Sequence, residues 1–161
     1  MEAGSIRSTR AQQGGGRVSV TGLASPPCTH LARSRESTVN VLAVAVGGAL
    51  GALARWGASS WVQSRTGLQF PWGTLWVNLS GAFLLGVVYG ALERVELAEA
   101  ARAFLTLGFL GAFTTFSTFS YEAVLLLQGG EAGKALGYVG GSVAAGILLV
   151  MVGLAAGRAI A

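Results

Sequence analysis

From Val39 onward the chain alternates long apolar runs with short polar connections. The hydrocarbon core of a bilayer takes about 20 predominantly apolar residues per helix. Four stretches meet that length: 41–62, 72–92, 101–127 and 136–157. The connections between them, 63–71, 93–100 and 128–135, are too short to house a soluble active site or a receptor domain. A water-soluble four-helix bundle would carry a polar face along each helix, and these stretches lack one. The pattern therefore predicts an all-α membrane protein with four transmembrane helices in residues 39–161.

Composition agrees with that pattern. Of 161 residues, 52% are apolar and 11% charged, where a soluble domain carries about a quarter charged. The formal charge of +4 does not mark a nucleic-acid surface. Five arginines (Arg7, Arg10, Arg17, Arg33, Arg35) against Glu2 and Glu36 place most of it in residues 1–38, leaving +1 for the rest. Residues 1–38 are Gly-, Ser- and Arg-rich with little to bury, and are expected to form a disordered, dispensable basic tail or to reflect a start codon placed too early. No apolar run of about 7 to 15 residues precedes Arg33, so no cleaved secretory signal is expected. Cys28 is the sole cysteine and His30 the sole histidine, which excludes an internal disulfide framework and a Cys/His metal site.

Charge near the span ends sets orientation. Four spans place both termini and the second connection on one side, with Arg33, Arg35, Arg94, Arg102 and Arg158 there against Arg65 and Lys134 opposite. Without the tail the balance is three to two, which suits insertion in both orientations and head-to-tail self-pairing. Small residues recur every four positions: Gly47 and Gly51, with Arg55 on the same face; Ala82, Gly86 and Gly90; Gly137, Gly141 and Ala145; Gly153 and Gly157. Such ridges let helix backbones approach closely in lipid, and they indicate packing.

Polar groups inside the spans carry more information, because lipid makes them costly unless they are paired or face a cavity. Asn78 lies well inside the second span. Arg55 closes the apolar run 41–54, where it either snorkels to the interface or, on the glycine face, turns inward and favours an anion. In the third span, Thr114-Thr115-Phe116-Ser117-Thr118-Phe119-Ser120-Tyr121 sets six hydroxyls and two phenylalanines in eight residues, just after Gly108 and Gly111. On a helix Thr115, Thr118 and Glu122 share one side. A lone Ser or Thr bonds the carbonyl four residues back; six together exceed that habit and predict a broken helix whose freed backbone lines a cavity or binds an ion. The positive ring edges of Phe116 and Phe119 suit an anion, although residue type alone favours ordinary packing.

These residues resemble the Fluc/CrcB fluoride channels. The resemblance covers 41 to about 157 and rests on the run 47–56 ending in Arg55-Trp56, on Gly73-Thr74-Leu75-Trp76-Val77-Asn78-Leu79-Ser80-Gly81, on 108–122, and on Gly137-Tyr138 followed by Ser142. It implies an antiparallel, dual-topology homodimer in the cytoplasmic membrane, with two fluoride pathways and a structural sodium ion at the dimer centre. It further implies that Arg55 and Asn78 lie at the vestibule and pore wall, and that Phe116 and Phe119 contact the anion. Ser117 and Thr118 are implied in the polar track beside them, and Tyr138 and Ser142 as fourth-helix pore hydroxyls. The carbonyls of Gly111 and Thr114 are implied as the sodium ligands, and Glu122 as the family's acidic residue. Where the family often has a further fourth-helix hydroxyl, this chain has Gly146, so a shorter polar track is expected.

The chemistry is compatible. Fluoride is small and strongly hydrated, so a selective pore replaces its water with hydroxyl, amide and guanidinium donors. The spans hold no Cys or His for a nucleophile and base pair, and no GxxxxGK[ST] phosphate loop occurs. A proton-coupled small multidrug transporter would carry an acidic residue in its first helix, and 41–62 has none. A non-transporting scaffold would not need clustered hydroxyls beside an Asn and an Arg.

Overall fold

A computed structural model describes residues 28–161. The helices are α1 (Cys28–Thr66), α2 (Trp72–Leu92), α3 (Glu99–Ala103), a π-helical segment (Phe104–Leu110), α4 (Gly111–Phe113), α5 (Phe116–Gln128) and α6 (Ala132–Ile160). Four segments have the length and composition to cross a membrane: Ser37–Thr66, Trp72–Leu92, Glu99–Gln128 and Ala132–Ile160. They contain the four stretches expected from hydropathy. Residues 1–27 of the expected tail lie outside the described residues, whereas 28–38, assigned to that tail, are helical and continue into the first span. The reason is local: no Gly or Pro interrupts the chain between Pro27 and Gly47, so nothing stops the helix at the edge of the apolar run.

Each connection has an identifiable stop. α1 ends where Gly67 adopts φ +85°, a conformation that favours glycine, and the Gly67 N–H caps the Gln63 carbonyl at 3.1 Å. Pro71 then sets the start of α2. Gly130, at φ +75°, turns the chain from α5 into α6.

The third span is broken. Its first half runs through the π-helical turn to Phe113, then Thr114 (φ −84°, ψ 156°) and Thr115 (φ −146°, ψ 117°) are extended before α5 begins. Gly81 on α2 makes room for this break, since a side chain there would strike the Thr114 methyl.

Packing follows the small residues, as dispersion dictates where lipid is as apolar as leucine. α2 and α6 form the most extensive pair. They run parallel, with Gly86 against Gly153 and Gly90 against Gly157; a Cβ on any of the four would lie closer than 3.0 Å to a backbone oxygen of the partner helix. On α1, Gly47 and Gly51 meet the π-helical segment just as closely. By contrast, nothing lies within 4 Å of a Cβ at Gly137 or Gly141, so that ridge packs nothing among the described residues of the subunit. At one face, the Arg158 Nε and Nη2 donate to the two Glu93 oxygens at 2.8 and 2.7 Å, tying the ends of α2 and α6. This bidentate contact with Arg158 lowers the Glu93 carboxyl below its usual value, with Arg94 adding a smaller pull in the same direction.

Candidate functional site

The break is held from across the bundle. Asn78, projecting from the middle of α2, donates its Nδ2–H to the Thr115 carbonyl at 3.1 Å and accepts the Thr115 N–H on Oδ1 at 2.8 Å. A side-chain amide thus bonds both backbone polar groups of Thr115 at a point where no preceding helical turn supplies a partner for its N–H. Thr115 in turn caps α5, its Oγ1 accepting the Thr118 N–H at 3.3 Å and its hydroxyl donating to the Thr118 hydroxyl at 3.0 Å.

Beside this joint lies a groove of about 270 Å³ lined by Asn78, Thr114, Thr115, Phe116, Phe119, Ser142 and Val143. Phe116 and Phe119 stand with ring centroids 5.9 Å apart; Phe116 is 80% exposed and Phe119 buried. The Ser142 hydroxyl is buried and, among the described residues, has no hydrogen-bond partner. Behind Phe119 sits Tyr138, 1% exposed, its ring 4.9 Å from Phe119. The Tyr138 hydroxyl donates to Glu122 Oε2 at 2.8 Å, and the buried Thr74 donates to Glu122 Oε1 at 2.8 Å. Beyond Glu122 a second crevice opens, lined in part by Gln63, Phe70, Glu122 and Glu131.

The expected site residues are therefore only partly gathered. Asn78, Phe116, Phe119, Ser142 and Thr114 line one groove, while Glu122 and Tyr138 form a bonded pair behind it. Thr118 supports the joint, and Ser117 is exposed on α5 outside the groove lining. Gly111 lies one turn before the break, at the start of α4. Arg55 stands apart: it is half-buried on α1, and among the described residues no Cα of α1 comes within 8 Å of α5 or α6. Of the six clustered hydroxyls, two follow the ordinary habit, Thr114 donating to the Leu110 carbonyl at 3.2 Å and Ser120 to the Phe116 carbonyl at 2.9 Å.

Sequence reasoning left Thr74 without a role and gave Thr115 no specific one. Thr115 was within reach, because a threonine directly before a helical run is an N-cap signal. Thr74 shows no local signal; its role exists only through Glu122, 48 residues away.

Fold and groove together define a multi-pass helical membrane protein with a polar, aromatic-lined cavity at a break in its third span. The family model for CrcB-like protein, Camphor Resistance (CrcB), matches residues 42–154. Among curated relatives, the fluoride-specific ion channel FluC of one Thermus thermophilus strain is 51% identical over 74% of this chain and 94% of its own. That of Acidobacterium capsulatum is 46% identical over 73% and 94%, and that of Chloroflexus aurantiacus is 42% identical over 74% and 95%. The chain belongs to the CrcB family, and its relatives place it among multi-pass bacterial membrane proteins.

Proposed function

We infer that this chain is the subunit of a fluoride-selective channel that lets fluoride leave the cell passively. The observation that carries the reading is the groove at the break, where Phe116, Phe119 and Asn78 meet a buried Ser142 hydroxyl that no group among the described residues satisfies. An unpaired buried hydroxyl is costly unless something transient occupies its place. A small anion is such an occupant: it takes a hydrogen bond from Ser142 and meets the positive edges of the two rings.

Two subunits inserted antiparallel complete the channel. Irregular backbone at membrane depth is tolerated only when covered by protein or lining water. Phe116, Ser117 and Thr118 are exposed directly after the break, so this face is left for a second chain to cover. Counted from residue 39 onward, Arg94, Arg102 and Arg158 stand against Arg65 and Lys134, a near-even balance that lets one sequence insert both ways. A partner chain would also bring a guanidinium to the groove, whose lining in one subunit does not include Arg55.

The break also offers oxygen ligands. Among the described residues no group of three His, Cys, Asp or Glu could hold a metal, so a cation here takes hard backbone oxygens, which suit sodium better than a transition metal. The carbonyls of Gly111 and Thr114, at the start and end of the last turn before the break, would hold it. A bound sodium would supply a fixed positive charge that ties the broken ends together.

The test is fluoride efflux from liposomes read with an electrode, against chloride efflux as the control. Wild-type protein is expected to release fluoride selectively and Phe116→Ile to release it far more slowly. Equal release of the two anions, or full rate in the variant, would overturn the reading.

A further inference from the structure

We propose that Gln63, at the end of α1, is a positioning residue for ion passage, acting through Phe70 on the Tyr138–Phe119 pair. Gln63 uses both ends of its side-chain amide on one loop. Its Nε2 donates to the carbonyls of Gly67 and Phe70, the latter at 3.0 Å, and its Oε1 accepts the Gly73 N–H at 3.1 Å. Two carbonyl partners and one N–H partner leave the amide a single orientation. The third bond matters for α2, whose first turn begins at Pro71 with no side-chain cap of its own. Gln63 supplies that cap from another helix.

The loop fastened in this way carries Phe70. Its ring stands edge-on to Tyr138, 5.4 Å away with planes at 80°, and lies 4.6 Å from Trp72. Phe119 covers Tyr138 at 4.9 Å. Tyr138 is thus clamped between two rings, which leaves its hydroxyl aimed at Glu122. Phe70 also lines the crevice beyond Glu122, and Phe119 lines the groove at the break. The clamp therefore stands between the two cavities. Loosening Gln63 frees Phe70, then Tyr138, and so shifts both the aromatic and the carboxylate ends of the passage.

This inference rests on the reading of Phe119 and Tyr138 as part of the fluoride route. The experiment reconstitutes full-length protein at about one channel per vesicle, so that the extent of release counts active channels while its rate reports each one. Four variants are compared with wild type: Gln63→Met, similar in size but without the hydrogen bonds; Phe70→Leu; their combination; and Phe119→Ile. Gln63→Met and Phe70→Leu are each expected to slow the unitary fluoride rate about tenfold, and the double variant to match either single one, because residues acting through one contact are not additive. A normal unitary rate in Gln63→Met with only fewer active vesicles would show a folding role alone and overturn the proposal, as would additive losses. If Gln63→Met fails to insert, Gln63→Glu carries the same expectation, since it keeps the acceptor for Gly73 and loses both donors. Loss of rate in Phe119→Ile with a normal rate in the Gln63 variants would sink this inference and leave the pathway intact. A full rate in Phe119→Ile would remove the pathway reading itself.

Discussion

Replacing Asn78 by alanine removes the side chain that bonds both backbone polar groups of Thr115. Thr115 is extended, so its N–H has no helical partner to fall back on, while its carbonyl, at the N-cap of α5, faces the first turn of that helix. Left dry, each orphaned group would cost about 1–3 kcal/mol. Interhelical hydrogen bonds in membranes are worth less, averaging about 0.6 and reaching about 1.7 kcal/mol. The local geometry decides between these figures. Thr115 lines the groove of about 270 Å³, which has room for water to reach both groups. The smaller scale therefore applies, and two bonds predict a loss of about 1–3 kcal/mol on unfolding in detergent. At 1.4 kcal/mol per tenfold, that loosens the break by roughly five- to a hundredfold, and fluoride efflux should fall to match. Asn78→Asp adds electrostatics to the loss of support. It keeps the acceptor for the Thr115 N–H but sets a carboxylate against both the Thr115 carbonyl and the passing anion, so efflux should vanish and stability fall at least as far as in Asn78→Ala. An Asn78→Ala protein with wild-type efflux and an unchanged unfolding midpoint would refute the assignment of the joint. An Asn78→Asp protein that conducts normally would refute the anion route beside it.

Three further outcomes follow from other parts of the molecule. Ser142→Ala removes a buried hydroxyl that has no partner among the described residues, so unfolding in detergent should show no loss of stability while liposome efflux of fluoride slows; a matching loss of stability would mean that the hydroxyl is bonded after all. Gly90→Ala or Gly153→Ala drives a methyl into the facing backbone and should cost about 1–3 kcal/mol, whereas Gly48→Ala, with nothing within 4 Å, should leave the unfolding midpoint unchanged or raise it. Because Glu93 titrates below its ordinary value of 4.5 through Arg158, its contribution to stability is present above that pH and is lost as pH falls through the lowered value. The difference in thermal midpoint between wild type and Glu93→Gln, small because the pair is exposed, should therefore close on acidification and shrink with added salt.

Hydropathy located all four spans because it reads what the bilayer requires, but it could not see where helices end. Helix α1 runs from Cys28 to Thr66, beyond the apolar run at both ends, because backbone propensity continues until Gly67. The π-helical turn at 104–110 had no signature of its own, and it lies where the backbone of α1 packs in at Gly47 and Gly51. The four-residue glycine spacing was visible, yet its meaning differed along one helix: Gly153 and Gly157 lock α6 to α2, while Gly137 and Gly141 meet nothing among the described residues of the subunit. Spacing records that a close approach is possible, and only the neighbouring helix determines whether it is used.

The candidate site shows the same division for a chemical reason. Clustered hydroxyls and an intramembrane Asn are legible because each violates a local rule in lipid, and such violations collect where function requires them. Thr74, Gln63 and Phe70 violate nothing: a threonine and a glutamine near helix ends and a phenylalanine before a proline are ordinary in any connection. Their roles arise from partners distant in sequence or across a turn, Glu122 for Thr74, the α2 start for Gln63, and Tyr138 for Phe70. The two kinds of residue also answer different physical demands. Asn78 and Ser142 present groups that replace water, so they must be polar and are conspicuous. Gln63 and Phe70 hold other side chains to within fractions of an ångström, a task that packing and satisfied hydrogen bonds perform without leaving a polar atom unpaired. A pore for a strongly hydrated ion needs both, because donors replace its water effectively only where the walls cannot move away from it.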